Sequence, residues 1–325
     1  MGPGQHARRT VAEVGEDELL AMVFPILAAA GGSVDVTVGP GDDAAVLALG
    51  AGGLVATTDA VVHGRDWRDE WSTGADVGAK VAAQNVADVA AMGARPVALL
   101  VTLVMAPSTA VEWVLDLARG LASVTGPAGC PVVGGDLSSA PEGVLTVSVT
   151  ALGSLDGRRP VLRSGAQIGD VVTVAGSLGL SGAGLHLLQT GRPDADPQAV
   201  AVHRRPVPPI GLGTVAADAA ATSMIDLSDG LLRDTARVAA ASGVRLDLAS
   251  ASLAADVARL EPAVGAELAR ECVLSGGEEH SLLATFPSGS AVPEGFRVIG
   301  AVRAGSGVAL DGIPQQPRGW DHFAG

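Results

Sequence analysis

The sequence contains one lysine, Lys80, and no tyrosine. A phosphate-binding loop of the G-x-x-x-x-G-K-[ST] type needs a lysine directly after its last glycine, whereas Lys80 follows Ala79. A single lysine also leaves little room for the layout of a protein kinase. If this protein binds ATP, it must do so through arginine side chains and metal ions.

Positive charge is scarce, with 21 Lys and Arg residues against 35 Asp and Glu residues and a formal net charge of −14. Proteins that bind nucleic acid neutralise many phosphates with clustered basic side chains. The basic runs here are short pairs such as Arg204-Arg205. The composition therefore argues against nucleic acid as a partner, and an acidic protein that handles phosphates would have to recruit divalent cations.

Cysteines, aromatic residues and long apolar runs are also few. Cys130 and Cys272 stand far apart without a C-x-x-C pattern, which predicts two core thiols. Aromatic residues make up 2% of the chain, so helices and strands must pack through small side chains. No apolar run approaches the roughly 20 residues of a membrane span, and the first residues lack the apolar core of a signal peptide. We expect a cytoplasmic, soluble protein with no membrane partner.

The stretch from Ile225 to Leu232 is the most informative, because an apolar strand leads there into Asp226, Ser228, Asp229 and a glycine and then into a helix. Ser228 is a favourable N-cap residue, which places both carboxylates at the helix entrance. An acid at a helix N-terminus can be purely structural, since it stabilises the helix by about 0.3–1 kcal/mol. The alternative is that the turn holds a metal ion, and this stretch alone leaves both interpretations open.

Similar acid-bearing turns recur at three predicted strand ends, Gly41-Asp42-Asp43, Thr57-Thr58-Asp59 and Gly134-Gly135-Asp136, and Asp88 lies on a helix between them. Carboxylate and threonine oxygens are hard donors suited to magnesium. An Asx-turn explains Asp42 alone. The recurrence favours a cation site.

The predicted helix from Asp76 to Met92 carries a polar stripe. Lys80, Gln84 and Asp88 follow one another at a spacing of four residues, and Asn85 lies three residues before Asp88. Such a stripe is either solvated or turned toward a binding site. The acidic turns elsewhere in the chain favour the binding site.

Hydrophobic periodicity predicts mixed helices and strands in the first half of the chain. The predicted helices are 17–30, 76–92 and 108–124, the last capped by Ser108, and the predicted strands are 34–38, 44–49, 54–58, 96–105, 132–136 and 144–152. Residues 1–14 are expected to form a loose tail, and Pro25 to kink or shorten the first helix. This order is typical of an α+β layer whose helices cover one face of a sheet.

A turn-rich connection at 153–170 separates this half from the next, which predicts two domains, 1–155 and 156–325. The second domain is predicted to contain strands 171–175, 223–225 and 281–286 and a helix at 211–221. Its glycine-rich turn 176–184, which opens another helix, is a weak candidate for contact with phosphate.

Two further residues have open interpretations. Arg163, in the connection between the domains, is either a clamp for phosphate or a surface loop residue. Trp320, near the end of the chain, either closes the core or offers a stacking surface for a flat ring.

Eight motifs occur in order over nearly the whole chain: Gly41–Ala45, Thr57–Asp59, Asn85–Ala94, Gly134–Asp136, Arg163–Ala166, Ile225–Leu231, Leu274–Glu278 and Gly319–Phe323. Together they resemble the motifs of the thiamine-monophosphate kinase family. The resemblance implies a two-domain fold shared with aminoimidazole ribonucleotide synthetase, in which the N-terminal sheets of two subunits join into a barrel with ATP along the junction. It therefore implies a homodimer with an α/β C-terminal domain. It also implies magnesium-assisted, in-line phosphorylation of thiamine monophosphate by ATP, giving thiamine diphosphate.

The resemblance also implies roles for individual residues. Magnesium would be held by Asp43, Thr57, Thr58, Asp59, Asp88, Asp136, Asp226 and Asp229. Catalysis would depend on Asp43, Asp59, Asp88, Asp136 and Asp229. ATP would contact Gly135, Asp136, Arg163 and Ser228, and the substrate would contact Asp66, Glu278 and Trp320.

The chain departs from the family pattern in two places. Asp66, in Gly64-Arg65-Asp66-Trp67, stands where the family often has a histidine in a Gly-x-His-Phe context. The acidic-aromatic pair that follows Gly-Gly-Glu in the family is Glu279-His280 here.

Two other functions remain open at the level of the sequence. One is another ATP-using synthetase of the same fold, of the purine-pathway or selenophosphate type. Selenophosphate synthetases resemble one another in an early reactive cysteine and lysine, whereas this chain has no cysteine before Cys130 and no lysine before Lys80. The other is a protein that binds metal and nucleotide without catalysis.

Overall fold

The computed structural model describes residues 9–32, 35–38, 46–48 and 52–320. The predicted magnesium ligand Asp43 lies outside these ranges. The chain divides into two compact units. Unit 1 consists of Met1–Leu49, Ala56–Asn85 and Pro96–Leu152, and unit 2 consists of Gly50–Val55, Val86–Arg95 and Gly153–Gly325. Within the described ranges, no helix has the length and apolar character needed to cross a membrane.

The first half of the chain contains the mixed helices and strands that its periodicity predicts. The elements are α1 (Val11–Ala29), β1 (Val36–Val38), β2 (Val46–Leu47), β3 (Leu54–Val62), α2 (Gly74–Ala91), β4 (Arg95–Met105), α3 (Val111–Ala128), β5 (Val132–Ser139) and β6 (Leu145–Ser154). Four strands form a sheet in the order β3-β6-β4-β5, with β4 and β5 parallel. Strands β1 and β2 form a separate antiparallel pair.

Helices α2 and α3 approach closely because each presents glycine to the other. A Cβ atom added at Gly78 would lie 2.1 Å from the carbonyl oxygen of Leu117, and one added at Gly120 would lie 2.1 Å from that of Ala75. Larger side chains would force the helices apart. The expectation that small residues mediate the packing is confirmed here.

Several predicted boundaries were wrong. Helix α1 begins at Val11 instead of Asp17, and its non-helical residue is Gly15 (φ 72°), while Pro25 lies inside the helix. Ser108 does not cap α3, because its hydroxyl donates to Glu142 and the N-cap position falls at Ala110.

Two of the acids placed at strand ends in this half lie within strands instead. Asp59 is inside β3 and Asp136 is inside β5, because pairing with neighbouring strands carries both strands beyond the predicted ends.

Unit 2 is built around a larger sheet. Its elements are β7 (Val171–Ala175), α4 (Leu180–Gln189), a 3₁₀ turn (Pro193–Ala195), α5 (Pro197–Arg204), α6 (Ile210–Asp218), β8 (Ser223–Leu227), α7 (Leu231–Ser242), β9 (Arg245–Leu248), α8 (Ser250–Val264), α9 (Ala266–Ser275), β10 (Ser281–Phe286), β11 (Phe296–Arg303), β12 (Gly307–Leu310) and β13 (Ile313–Pro314). The strand order is β13-β12-β9-β11-β7-β10-β8. Strand β10 runs antiparallel to both of its neighbours, whereas β9 and β12 are parallel. The unit is therefore α+β with a mixed sheet, and not the α/β domain that the resemblance implied.

The sheet of unit 2 is buried on both faces, because alternate residues of one strand enter different apolar clusters. Leu283 of β10 packs with Ile225 on one face. Phe286 of the same strand packs with Met224 and Phe296 on the other. The strands therefore form a rigid support for the turns at their ends.

Candidate active site

The turn between β8 and α7 carries Asp226 and Asp229, but its capping differs from the prediction. Ser228 is not the N-cap; that position is Gly230, whose φ of 120° favours glycine. The carboxylate of Asp234, in the first turns of α7, accepts hydrogen bonds from the backbone N–H groups of Asp229 (3.0 Å) and Gly230 (3.1 Å). Since Asp234 caps the turn, the side chain of Asp229 remains available for other bonds.

The Asp229 carboxylate is paired with arginine in this structure. Arg237 Nη2 donates to Asp229 Oδ2 at 2.5 Å, and Arg233 Nε lies 3.8 Å from the same oxygen. Arg237 also donates to Asp234 at 2.5 Å. Burial, followed by the charge of Asp226, raises the pKa of Asp234 to about 7. The turn thus combines several acids with two arginine side chains that can balance their charge.

Asp226, almost at the end of β8, is 3% exposed and contacts a histidine. Its Oδ2 lies 3.0 Å from Nδ1 of His280, which is itself 6% exposed. Burial lowers the pKa of His280, but the hydrogen bond and charge of Asp226 and the charges of Glu278 and Asp88 raise it above its ordinary value. Asp226 is therefore in direct contact with His280, and the charges of Asp88 and Glu278 also act on its ring.

The turn that carries Glu278 and His280 lies directly against the Asp226–Asp229 turn. The backbone N–H of Glu278 donates to the carbonyl oxygen of Ser228 at 2.8 Å, and that of His280 donates to Leu227 at 3.0 Å. His203 Nδ1 on α5 lies 3.4 Å from Glu278 Oε2. The predicted substrate residue Glu278 and the predicted ATP residue Ser228 are thus neighbours.

The glycine-rich turn before α4 already holds a carboxylate. Buried Glu279 accepts hydrogen bonds from the N–H groups of Gly179 and Leu180 at the N-terminus of that helix. Burial raises the pKa of Glu279 to about 7, although these hydrogen bonds by themselves would lower that pKa. The weak expectation of phosphate at this turn is wrong, because Glu279 occupies the donors that an anion would use.

Trp320 lies beside the same group of residues. Its backbone N–H donates to the carbonyl oxygen of Asp229 at 2.9 Å, and the residue is 45% exposed. A Cβ atom at Gly319 would lie 2.2 Å from that carbonyl oxygen, so glycine is needed for this close approach. The exposure favours the stacking interpretation of Trp320 over the closing plug, and it leaves an aromatic surface near Asp229.

The polar stripe of α2 is shielded from solvent, with Lys80 and Asn85 buried and Gln84 and Asp88 partly buried. Lys80 is 6% exposed and Asn85 is fully buried. The Asn85 Oδ1 atom accepts a hydrogen bond from the backbone N–H of Asp59 at 3.1 Å. The solvated interpretation of the stripe is therefore wrong, and Asn85 was missed as a residue that holds the strand around Asp59.

Strand β3 also carries Thr57 and Thr58. The Thr58 hydroxyl donates to the carbonyl oxygen of Val149 on β6 at 3.0 Å and accepts from Thr150 at 3.2 Å. Asp59 and Thr57 share one side of the strand, because side chains alternate along it. The side chains of Asp59 and Thr57 therefore lie on one side of β3, and that of Thr58 lies on the other.

Gly135 and Asp136 lie on edge strand β5. A Cβ atom at Gly135 would lie 1.8 Å from the carbonyl oxygen of Val101, so only glycine fits beside β4. Asp136 is exposed and accepts a hydrogen bond from Ser138 at 2.6 Å. Both residues line a mainly apolar cavity of about 670 Å³ between α1, α3 and the sheet.

Two predicted site residues stand apart from their expected partners. The carbonyl oxygen of Arg163 accepts from Ser242, the last residue of α7. Because α7 has 12 residues, this lies roughly 18 Å along the helix from the Ser228 turn. Asp66 uses Oδ2 to accept the backbone N–H of Val62 at 2.7 Å, which closes its own turn.

The metal hypothesis can be tested against the donor set. Among the residues that the structure describes, no three His, Cys, Asp or Glu side chains form a group that could surround an ion. Magnesium usually takes one or two carboxylates, with water and substrate phosphates completing its shell. The oxygen donors of Asp59 and Thr57 in unit 1, and of Asp226 and Asp229 in unit 2, fit that smaller requirement.

Comparisons with known proteins identify the family of the chain. Residues 41–155 match AIR synthase related protein, N-terminal domain, and residues 167–311 match AIR synthase related protein, C-terminal domain. Thiamine-monophosphate kinase of Mycobacterium tuberculosis (strain ATCC 25618 / H37Rv) is 46% identical over 294 residues, covering 89% of this chain and 85% of the relative. The chain belongs to the thiamine-monophosphate kinase family.

Solved structures of this family have the same fold. The thiamine-monophosphate kinase from Stenotrophomonas maltophilia K279a has a TM-score of 0.78 and 30% identity, covering 92% of this chain and 96% of that chain. AaThiL complexed with AMPPCP and TMP has a TM-score of 0.76 and 29% identity, covering 98% of this chain and 100% of that chain. The two-domain fold expected from the resemblance is confirmed.

The arginine partners of Asp229 were not predicted, although the sequence contains a signal for them. Arg233 and Arg237 follow Asp229 at four and eight residues, a spacing that places side chains on one face of a helix. Asp234 was also missed, although its partners lie within five residues of it in the chain. His203 had no comparable signal, because its partner Glu278 is brought to it by a tertiary contact.

Proposed function

We propose that this protein, like the kinases it resembles, transfers the γ-phosphoryl group of ATP to the phosphate of thiamine monophosphate and so forms thiamine diphosphate. The observation that carries the proposal is the 46% identity to a thiamine-monophosphate kinase over 89% of the chain. A structural relative at 29% identity holds AMPPCP, an ATP analogue, together with TMP.

The chemistry requires positioning and charge compensation more than a specialised nucleophile. The acceptor is already a phosphate oxygen, and both reactants are anions that must be aligned for in-line displacement. Arg233 and Arg237 supply positive charge at the Asp229 turn. In unit 2, the rigid β8 and β10 strands hold the residues that orient the reactants.

We infer that magnesium binds to the predicted acids of each unit. In unit 1, Asp59, Thr57 and Asp136 would hold it together with Asp43. Thr58, whose hydroxyl is bonded to β6, would contribute its backbone carbonyl oxygen. In unit 2, Asp88, Asp226 and Asp229 would hold it. Bound magnesium would neutralise phosphate charge and align the transferring group. The support is the chemistry of these oxygen donors and the presence of a single lysine in the chain.

The remaining assignments are also proposals. ATP would be contacted by Ser228, Gly135 and Asp136. The thiamine substrate would be contacted by Glu278 and Trp320, and this is supported by the closeness of both residues to the Asp226–Asp229 turn. Arg163 as an ATP contact and Asp66 as a substrate contact rest on the resemblance alone. A cytoplasmic location rests on the resemblance as well. The same holds for the roles of the two domains, in which 1–155 would serve ATP binding and dimerisation and 156–325 would contribute phosphate, metal and substrate contacts.

A homodimer formed through the unit 1 sheet is proposed as well. Leu100 of β4 is 38% exposed and Val62 of β3 is 40% exposed, although both are large apolar residues of this sheet. A second copy would bury such residues. Sedimentation at micromolar concentration should give a dimer, and a fully active monomer would contradict this.

The decisive experiment supplies purified protein with ATP, magnesium and, separately, thiamine, thiamine monophosphate or an aminoimidazole precursor. Product analysis should find thiamine diphosphate from thiamine monophosphate only. Turnover of the aminoimidazole precursor would indicate a purine-pathway synthetase instead. ATP binding without any product would indicate a non-catalytic nucleotide-binding protein.

A further inference from the structure

The pair formed by Asp226 and His280 brings together residues that lie 54 positions apart in the chain. Antiparallel pairing of β8 with β10 places Leu227 opposite Ser281. The end of β8 and the beginning of β10 are therefore adjacent. This topology sets the His280 ring against the Asp226 carboxylate.

The direction of the hydrogen bond follows from the chemistry of the two groups. An ionised carboxylate can only accept, so the Nδ1 atom of His280 carries the hydrogen and donates it to Oδ2 of Asp226 at 3.0 Å. Because Asp226 is 3% exposed, water cannot replace this donor freely. The bond occupies one carboxylate oxygen and fixes the orientation of the other.

The backbone around His280 is held in an uncommon conformation. His280 has a φ of 54° and Glu278 a φ of 63°, both in the left-handed region that non-glycine residues seldom adopt. The hydrogen bonds from Glu278 and His280 to Ser228 and Leu227 maintain this conformation. A strained turn that is held in this way brings the imidazole to the carboxylate with little freedom to move.

We propose that His280 is a positioning residue, which orients the carboxylate of Asp226 for magnesium and phosphate through its Nδ1–H bond. This inference rests on the proposed phosphoryl transfer and on Asp226 as one of its ligands. Groups that hydrogen-bond to metal ligands typically change metal affinity or activity by about 10- to 100-fold when they are removed. The role assigned to His280 is of this kind.

Replacing the histidine tests the proposal. His280→Leu removes the donor, whereas His280→Asn offers an amide N–H near the position of Nδ1. We expect His280→Leu to raise the magnesium concentration for half-maximal turnover by about 10- to 100-fold, and His280→Asn to recover much of that loss. His186→Leu, a substitution on α4 in the same unit, is the matched control and should behave like the wild type.

A double-mutant cycle separates positioning from general stability. In the Asp226→Asn background, His280→Leu should cause almost no additional loss of turnover, because the carboxylate that it orients is already absent. Equal losses in both backgrounds, or an unchanged magnesium requirement in His280→Leu, would overturn the proposal. Thermal unfolding of each variant identifies losses that come from folding.

Nitrogen-15 NMR of the histidine side chains gives a reading that does not depend on catalysis. The Nδ1 resonance of His280 should show a protonated, hydrogen-bonded nitrogen that shifts in Asp226→Asn, and an unshifted resonance would refute the bond. If the wild type makes no thiamine diphosphate, the proposed function fails, while this measurement still decides whether His280 binds Asp226.

Discussion

Arg237 donates a hydrogen bond of 2.5 Å to Oδ2 of Asp229, from two turns further along helix α7. The same guanidinium binds Asp234, which caps the turn before the helix. Asp229 is thus a partly buried acid with a cationic partner and without a capping role. A magnesium ion at this carboxylate would have to share it with Arg237 or replace that contact.

The first prediction concerns Asp229→Asn. Asparagine preserves the size of the side chain but removes the charge that would hold magnesium near the transferring phosphates. Losing one preorganised electrostatic group typically reduces turnover by about 100- to 1,000-fold. Folding should change little, since the backbone of the turn is capped by Asp234.

This prediction is measured as turnover across a magnesium titration, with thermal unfolding in the absence of metal. Asp194→Asn, at an exposed site in the 3₁₀ turn, serves as the control. Near-normal turnover of Asp229→Asn at ordinary magnesium would remove Asp229 from the proposed metal ligands.

Trp320→Ala should affect one substrate selectively. The exposed ring beside Asp229 offers an aromatic face to a flat cationic heterocycle, a contact worth about 0.5–2 kcal/mol. The Michaelis constant for thiamine monophosphate should rise, while that for ATP stays nearly constant. Equal changes for both substrates, accompanied by a lower melting temperature, would indicate a structural ring instead.

Removal of divalent cations should abolish activity. The chain has a net charge of −14 and a single lysine, so it has few other means to screen two anionic substrates. Exhaustive chelation should stop product formation, and added magnesium should restore it. Undiminished turnover after chelation, with metal content verified, would refute the magnesium requirement.

Glu279 predicts a pH dependence of stability. Burial raises its pKa from 4.5 to about 7, so the folded state holds this proton more tightly than the unfolded state does. The corresponding stabilisation is complete below about pH 4.5 and is lost as the pH rises to about 7. Its size is on the order of 3 kcal/mol.

Comparison with Glu279→Gln isolates this contribution, because glutamine does not titrate. The unfolding free energy of the wild type should decrease relative to that of the variant as the pH rises from 4.5 to 7. Glu267→Gln, at an exposed position on α9, should leave the pH profile unchanged. Parallel profiles for wild type and Glu279→Gln would show that Glu279 has no raised pKa in the folded protein.

The sequence by itself determined which acids stand near the turns and strands of the site, and to which family the chain belongs. Short motifs such as Ile225–Leu231 contain their donor atoms within a few residues, so local order is enough to recognise them. The scarcity of lysine and aromatic residues likewise needs no structure. Most helices and strands of the first half followed from periodicity, although their ends did not.

Only the tertiary structure decided the long-range partners of those acids. His280 reaches Asp226 because β10 runs antiparallel beside β8, and Glu279 reaches the start of α4 from a position 100 residues further along the chain. Ser228 does not act as the predicted cap, because Asp234 satisfies the same turn through local hydrogen bonds from inside the helix. Strand neighbours and helix directions are set by packing of the whole unit, which no local pattern specifies.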